Sequence, residues 1–357
     1  MFYLKERKIY PLILASLFIL VIPVLSYCAD PKNTDTAQTG VTPIVSEGAR
    51  QSETGRDIFD LSVELMTSVH GEQTFDVIDS DETLISRLKF PHRGQTMVFK
   101  GELYVLPRLS LGGRFCSSRV LQLSNANSTD TDWKANTFNR VWTESSDDTK
   151  TEINFFDANI YARLLNLEKG SGTGIAGKAS DFLLVGQDGR LSFDLFGGYQ
   201  FQEGRYEMCD MTQTVENYIP VSEKINSHDS FYKITYRGPR LGARGEYSFS
   251  RFSARLSFAY AWLKTKASAY WNLRDYPFYQ HGDGYDGYGV DLNAEFKYQF
   301  TKHISGGFGY NYMIRRQHKM KESGDDRSGT GNYTDSDNIR NANSTLYGPS
   351  VFVKVNW

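Results

Sequence analysis

Between Val290 and Phe300 apolar and polar side chains alternate without a break. Val290, Leu292, Ala294, Phe296, Tyr298 and Phe300 fall on one side of an extended chain, and Asp291, Asn293, Glu295, Lys297 and Gln299 on the other. A period of two belongs to a β-strand whose two faces meet different surroundings. Leu61, Val63 and Leu65 alternate in the same way with Asp60, Ser62 and Glu64; Phe99, Leu103 and Val105 with Lys100, Glu102 and Tyr104; and Leu109, Leu111 and Phe115 with Ser110, Gly112 and Arg114. Leu191, Phe193, Leu195, Tyr199 and Phe201 oppose Ser192, Asp194, Gln200 and Gln202. The chain therefore reads as all-β.

Alternation alone also suits a soluble sandwich, so length and loop order decide. Ten strands are predicted, near 57–78, 84–106, 109–118, 150–166, 189–208, 230–247, 252–268, 286–300, 303–318 and 344–357, several of them longer than the roughly five or six residues usual in globular sheets. The turns at Leu106-Pro107-Arg108, Ser248–Arg251 and Thr301-Lys302 are tight, whereas the connections at about 119–149, 209–229, 267–285 and 319–343 are long and polar. Short turns at one end and long loops at the other mark a transmembrane antiparallel β-barrel with its long loops outside the cell. The connection at 167–188, with its Gly170-Ser171-Gly172-Thr173-Gly174 run, is longer than a periplasmic turn should be. An even strand count closes the sheet and leaves both termini periplasmic.

Targeting signals agree. Lys5, Arg7 and Lys8 precede an apolar run from Pro11 to Leu25 that ends in Ser26-Tyr27-Cys28-Ala29. This reads as a signal peptide over residues 1–28, too short for a spanning helix. Residues 29–56 are polar and aperiodic and read as a disordered segment, and residues 57–357 as the barrel. Losing Lys5, Arg7, Lys8 and Glu6 takes the net charge from −2 to −4, which excludes a polybasic nucleic-acid binder. No later stretch approaches twenty apolar residues, yet 14% of the chain is aromatic, the balance expected where only every second strand residue faces lipid. The strand Val351–Trp357 alternates and ends on an aromatic, like the terminal signal read by the barrel-assembly machinery. Cys116 and Cys209 are the two cysteines of the mature chain and read as separate thiols. His70, His92, His228, His303 and His318 show no metal-ligand spacing.

Thr129-Asp130-Thr131-Asp132-Trp133, Trp142-Thr143-Glu144-Ser145, Ile153-Asn154-Phe155, Gln202-Glu203-Gly204-Arg205-Tyr206 and Tyr260-Ala261-Trp262 occur in an order and on successive strands that resemble the omptins, ten-stranded outer-membrane endopeptidases. The resemblance covers nearly all of 57–357. It implies that Asp130 and Asp132 are the carboxylate pair that holds a catalytic water, and that a second Asp-x-His pair on the far wall takes its proton. Ala269 and Trp271 stand at those two positions, and Ala267 where an acidic residue would shape a basic-substrate pocket. Neither Ala269 nor Trp271 can move a proton, so the resemblance does not bring the activity with it. His281, followed by Asp283 and Asp286, is the one candidate for a rearranged base. Glu203 and Arg205 match residues with which the family holds lipopolysaccharide, and a forked guanidinium suits a phosphate; the family's Lys on the eighth strand has no counterpart near Tyr285–Gly289.

The expectation is an outer-membrane, omptin-like barrel without the standard protease activity, acting in surface binding of a peptide or protein ligand or in a structural role. No cofactor is expected, and lipopolysaccharide is the one lipid partner implied. An endopeptidase using Asp130 and Asp132 with a rearranged base is the first alternative, and a small porin the second. Lys100, Glu102, Arg114, Asp194, Arg255, Glu295 and Lys297 point inward on this reading, and opposite charges of that kind can fill a narrow lumen.

Overall fold

The computed structural model describes residues 58–78, 81–118, 126–133, 140–168, 189–224, 230–271, 278–326 and 332–357. The signal peptide and the polar segment before the barrel lie outside them, as does most of the connection at 167–188.

The described residues form one antiparallel sheet of fourteen strands. Ten close a ring in the order β1 (Phe59–Ile78), β3 (Gly94–Leu106), β4 (Leu109–Ser117), β6 (Val141–Glu168), β7 (Arg190–Glu216), β9 (Ser230–Phe249), β10 (Phe252–Trp271), β11 (Phe278–Gln299), β12 (Ile304–Arg316) and β14 (Asn332–Asn356), which returns to β1. Each predicted strand contributes to this ring, the one at 84–106 through its second half alone, and the tight turns at 107–108, 250–251 and 300–303 join its members. No helix is long and apolar enough to cross a membrane.

The predicted loops are the correction. Much of 119–149, 209–229, 267–285 and 319–343 is strand. β2 (Leu84–Pro91) pairs with β1 and β5 (Ala126–Trp133), β5 pairs with β6, and β13 (Lys319–Asp326) pairs with β11 and β14. Above the first ring these three replace β3, β4 and β12, so the wall continues upward as a second ring. β8 (Ile219–Lys224) folds back on the end of β7. The predicted strand 84–106 breaks at His92, fully buried between β2 and β3. Its Nδ1 donates to the Thr345 carbonyl at 2.9 Å, so Nε2 accepts from the Tyr206 hydroxyl at 2.8 Å.

The two faces differ as alternation requires. Leu111, Phe156, Ile160, Leu241, Phe258 and Val353 are exposed on the outside, while the inside of the lower ring is charged and buried. Arg244 donates to Glu102 and to Asp194, each at 2.7 Å. Lys100 bridges Glu64 at 2.5 Å and Glu295 at 2.6 Å, Arg114 bridges Asp157 at 2.6 Å and Asp291 at 2.8 Å, and Arg255 holds Glu246 at 2.6 Å. Charges withdrawn from water this far are tolerable only when each has such partners. All seven residues predicted to point inward belong to this network, Lys297 through Glu246 at 3.4 Å. An internal cavity of about 100 Å³ remains between them. Cys116 and Cys209 are not joined in a disulfide.

Candidate functional site

Asp130 and Asp132 sit on β5, not in a loop. Leu88 is opposite Asp130 on β2 and belongs to the inner core, and facing residues share a side of the sheet, so the pair points into the upper barrel. Asp130 accepts from Ser86 at 3.2 Å and Asp132 from Thr143 at 2.6 Å. A third carboxylate, missed in the sequence, lies behind them: Asp147 is buried and accepts from Ser128 at 2.6 Å and from Thr149. It stands on β6 well above Phe156, where the lipid-facing residues of that strand begin. Burial pushes its carboxyl above the usual range, against the two hydroxyl donors.

On the opposite wall Ala267, Ala269 and Trp271 do face inward, at 8%, 2% and 5% exposure. They are packed in an apolar layer with Phe75, Phe90, Tyr206 and Tyr232. Phe90 lies flat on Tyr206, ring centres 4.6 Å apart, and on Tyr232 at 5.4 Å. Where the resemblance implies a proton acceptor, the chain therefore has a filled hydrophobic layer. On that wall the indole nitrogen of Trp271 donates to Gln280 at 2.8 Å, and Gln280 donates to Glu322 at 2.7 Å. Glu322 is buried. It escaped the sequence reading because Lys319–Asp326 carries no apolar alternation and reads as loop.

His281 does not reach this interior. A Cβ on its neighbour Gly282 would lie 2.9 Å from Met320 and 3.0 Å from Ile339, both core side chains, so Gly282 faces in and His281 faces out, exposed. Asp283 and Asp286 do not join it in a site either: Asp283 pairs with Lys266 at 3.5 Å, and Asp286 accepts from Gln317. The predicted rearranged base is thus on the wrong side of the wall, a consequence of strand parity.

Glu203 and Arg205 also face outward, between the buried Gln202, Gly204 and Tyr206. Lys233 holds Glu203 at 3.0 Å, Arg205 holds Glu207 at 2.8 Å, and the Arg205 guanidinium stands 5.9 Å from the Phe231 ring. Arg237 and Lys264, opposite one another on β9 and β10, extend this basic face; the Lys264 ammonium lies 4.3 Å from the Tyr285 ring. Lys233, Arg237 and Lys264 stand on the two strands before the one where the resemblance implies a Lys, and no motif in the sequence marks them. Among the described residues no cluster of His, Cys, Asp or Glu is placed to hold a metal ion.

A family model described as the Omptin family matches residues 59–348. Among solved structures, the outer membrane protease OmpT from Escherichia coli shares the fold with a TM-score of 0.71 at 15% identity, covering 86% of this chain and 99% of that one. The CymD monoaromatic hydrocarbon channel, at a TM-score of 0.29 and 8% identity, and the Pseudomonas putida toluene transporter TodX, at 0.27 and 9%, cover 85% of this chain and 90% of their own but differ too much in shape to bear on it. No curated protein sequence matches the chain.

Proposed function

Because the chain belongs to the omptin family of outer-membrane β-barrels, we propose that it keeps the family's scaffold without its standard proteolysis and works by binding at the cell surface. The supporting observation is the far wall, where Ala269 and Trp271 are buried in a packed apolar layer. Asp130 and Asp132 can polarise a water, but peptide hydrolysis also needs a group to accept its proton, and neither of those two residues is one. The tall upper wall faces outward from the cell on this reading, with a peptide or protein as ligand. Both termini are periplasmic, and the last strand, whose Trp357 ring stacks on Phe59 at 5.9 Å, is what the assembly machinery reads. Glu203 and Arg205, with Lys233, Arg237 and Lys264 beside them, take lipopolysaccharide phosphates.

One observation favours the protease alternative: the Trp271–Gln280–Glu322 chain ends in a carboxylate on the wall that needs a base. The deciding experiment exposes an unbiased peptide library to the refolded barrel with lipopolysaccharide, beside Asp130→Ala/Asp132→Ala and Glu322→Gln. No cleavage by the folded wild type is expected. Cleavage that both variants abolish refutes the binding reading and makes Glu322 the base. The charged network argues against a porin, and a barrel that passes no current in planar bilayers is the expected result.

A further inference from the structure

On the outer face of the upper ring, Lys319 is opposite Arg340, Arg340 opposite Asp76, and Asp76 opposite Arg87, one row across β13, β14, β1 and β2. Their neighbours Met320, Ile339, Phe75 and Leu88 are all inner core, which fixes the row on the outside. Arg340, Asp76 and Arg87 of this row line a groove of about 370 Å³ together with Glu82, His318 and Asn341, and Lys319 follows the groove-lining His318 in the chain.

Charge, backbone and geometry converge there. Asp76 is almost fully buried and already spent: Arg87 grips it at 2.6 and 2.8 Å, and Asn341 donates to it at 3.1 Å. The second carboxylate, Glu82, touches Arg340 at 3.0 Å but its side chain is 75% exposed, whereas Arg340 is held at 15%. Glu82 is therefore a loosely held counter-ion on a fixed cation. Lys319 is exposed beside it. The registers of β1–β14 and β13–β14 slip at this place, between Thr74 and Asp76 and between Met320 and Glu322, and such bulges re-aim side chains. Glu82 (φ 60°) and Asn341 (φ 48°) are two of six non-glycine residues with positive φ among those described. That conformation carries a conformational cost and gathers at ligand clamps.

We propose that this groove is a phosphate site, with Arg340 and Lys319 gripping a phosphate monoester carried on a sugar after Glu82 swings aside. A dianion outcompetes a single exposed carboxylate for a forked guanidinium, and a groove of this volume leaves room for a hexose beside it. The site lies on strands other than those of Glu203 and Arg205 and is distinct from that face. It rests on the surface-binding reading only for the origin of the phosphate.

The test is calorimetric titration of the detergent-folded barrel with glucose 6-phosphate, inorganic phosphate and glucose. Saturable binding of the phosphosugar and none of glucose is expected. Arg340→Gln/Lys319→Gln should weaken binding tenfold or more, and Glu82→Gln, which removes the competing carboxylate, should strengthen it severalfold. The same titrations in the Glu203→Gln/Arg205→Gln background, which removes the other phosphate-binding face, should show the same effects of Arg340→Gln/Lys319→Gln and of Glu82→Gln, which separates failure here from failure of the proposed function. Competition by intact but not dephosphorylated lipopolysaccharide, in the Glu203→Gln/Arg205→Gln background, assigns the phosphate to a lipid headgroup; competition by inorganic phosphate alone assigns it to the free ion. No phosphosugar binding by the wild type, or weaker binding in Glu82→Gln, overturns the proposal.

Discussion

Asp291 is 4% exposed and is shared by three guanidinium groups: Arg315 at 2.5 Å, Arg114 at 2.8 Å and Arg240 at 3.2 Å. Replacing it with leucine leaves Arg114 and Arg240 with Asp157, at 2.6 and 2.8 Å. Arg315, itself 3% exposed, retains backbone carbonyls: Ile314 at 2.8 Å and Val290 at 3.5 Å. Stranding a buried charge in this way costs about 3–5 kcal/mol. The expected outcome is a loss of that size for Asp291→Leu in urea unfolding in detergent micelles, followed by heat-modifiable gel mobility. Removing the stranded cation as well, in Asp291→Leu/Arg315→Met, should recover roughly 1–3 kcal/mol, since the two side chains are coupled. If Asp291→Leu lies within about 1 kcal/mol of the wild type, or if the double variant loses the sum of the two single ones, the network does not hold the lower barrel together and the reasoning fails.

Gly71 has φ 140°, and a Cβ there would lie 1.9 Å from the Thr345 carbonyl oxygen, so Gly71→Ala should cost roughly 1–3 kcal/mol in the same unfolding assay. Trp271→Phe removes the donor to Gln280 inside the apolar layer and should cost about 1–2 kcal/mol; no loss would mean that this contact is not formed. Asp147 has a raised folded pKa, so just above the ordinary carboxylate range the folded state binds more protons than the unfolded one. Its contribution is complete below the unfolded value and is lost as pH rises through the folded one. Asp147→Asn should therefore be more stable than the wild type at neutral pH and flatten the fall in stability above about pH 4, as read by urea midpoints across pH.

The part of the barrel that could be read from sequence is the part that meets lipid. β11 alternates cleanly from Val290 to Gln299 because one face is apolar by necessity and the other lines a charged lumen. β6 was placed from residue 150, yet its strand begins at Val141. Over Thr143-Glu144-Ser145-Ser146-Asp147-Asp148 the outer face meets water and the inner face carries hydroxyls and carboxylates, so both are polar and the period of two disappears. The same blindness hid β5, β8 and β13. Asp130 and Asp132 could be singled out through the resemblance alone, since Ala126–Trp133, the strand that carries them, has no apolar alternation and reads as loop. His281 was misplaced because no alternation around Gly282 and Gly284 announces which way a side chain points; only the packing of Gly282 against Met320 and Ile339 does.

The β1–β14 seam runs from Asp60 opposite Asn356 to Val77 opposite Ile339, along the first ring and into the second. The pairing joins the first and the last strand of the described residues, so it cannot form until β14 has been made. Until then the growing sheet carries two raw edges along its full height, each able to recruit a foreign strand. Contacts this distant in sequence are also slow to find. A single zippering event thus completes both tiers together, and a chain truncated before its last strand is left with an open sheet instead of a shorter barrel.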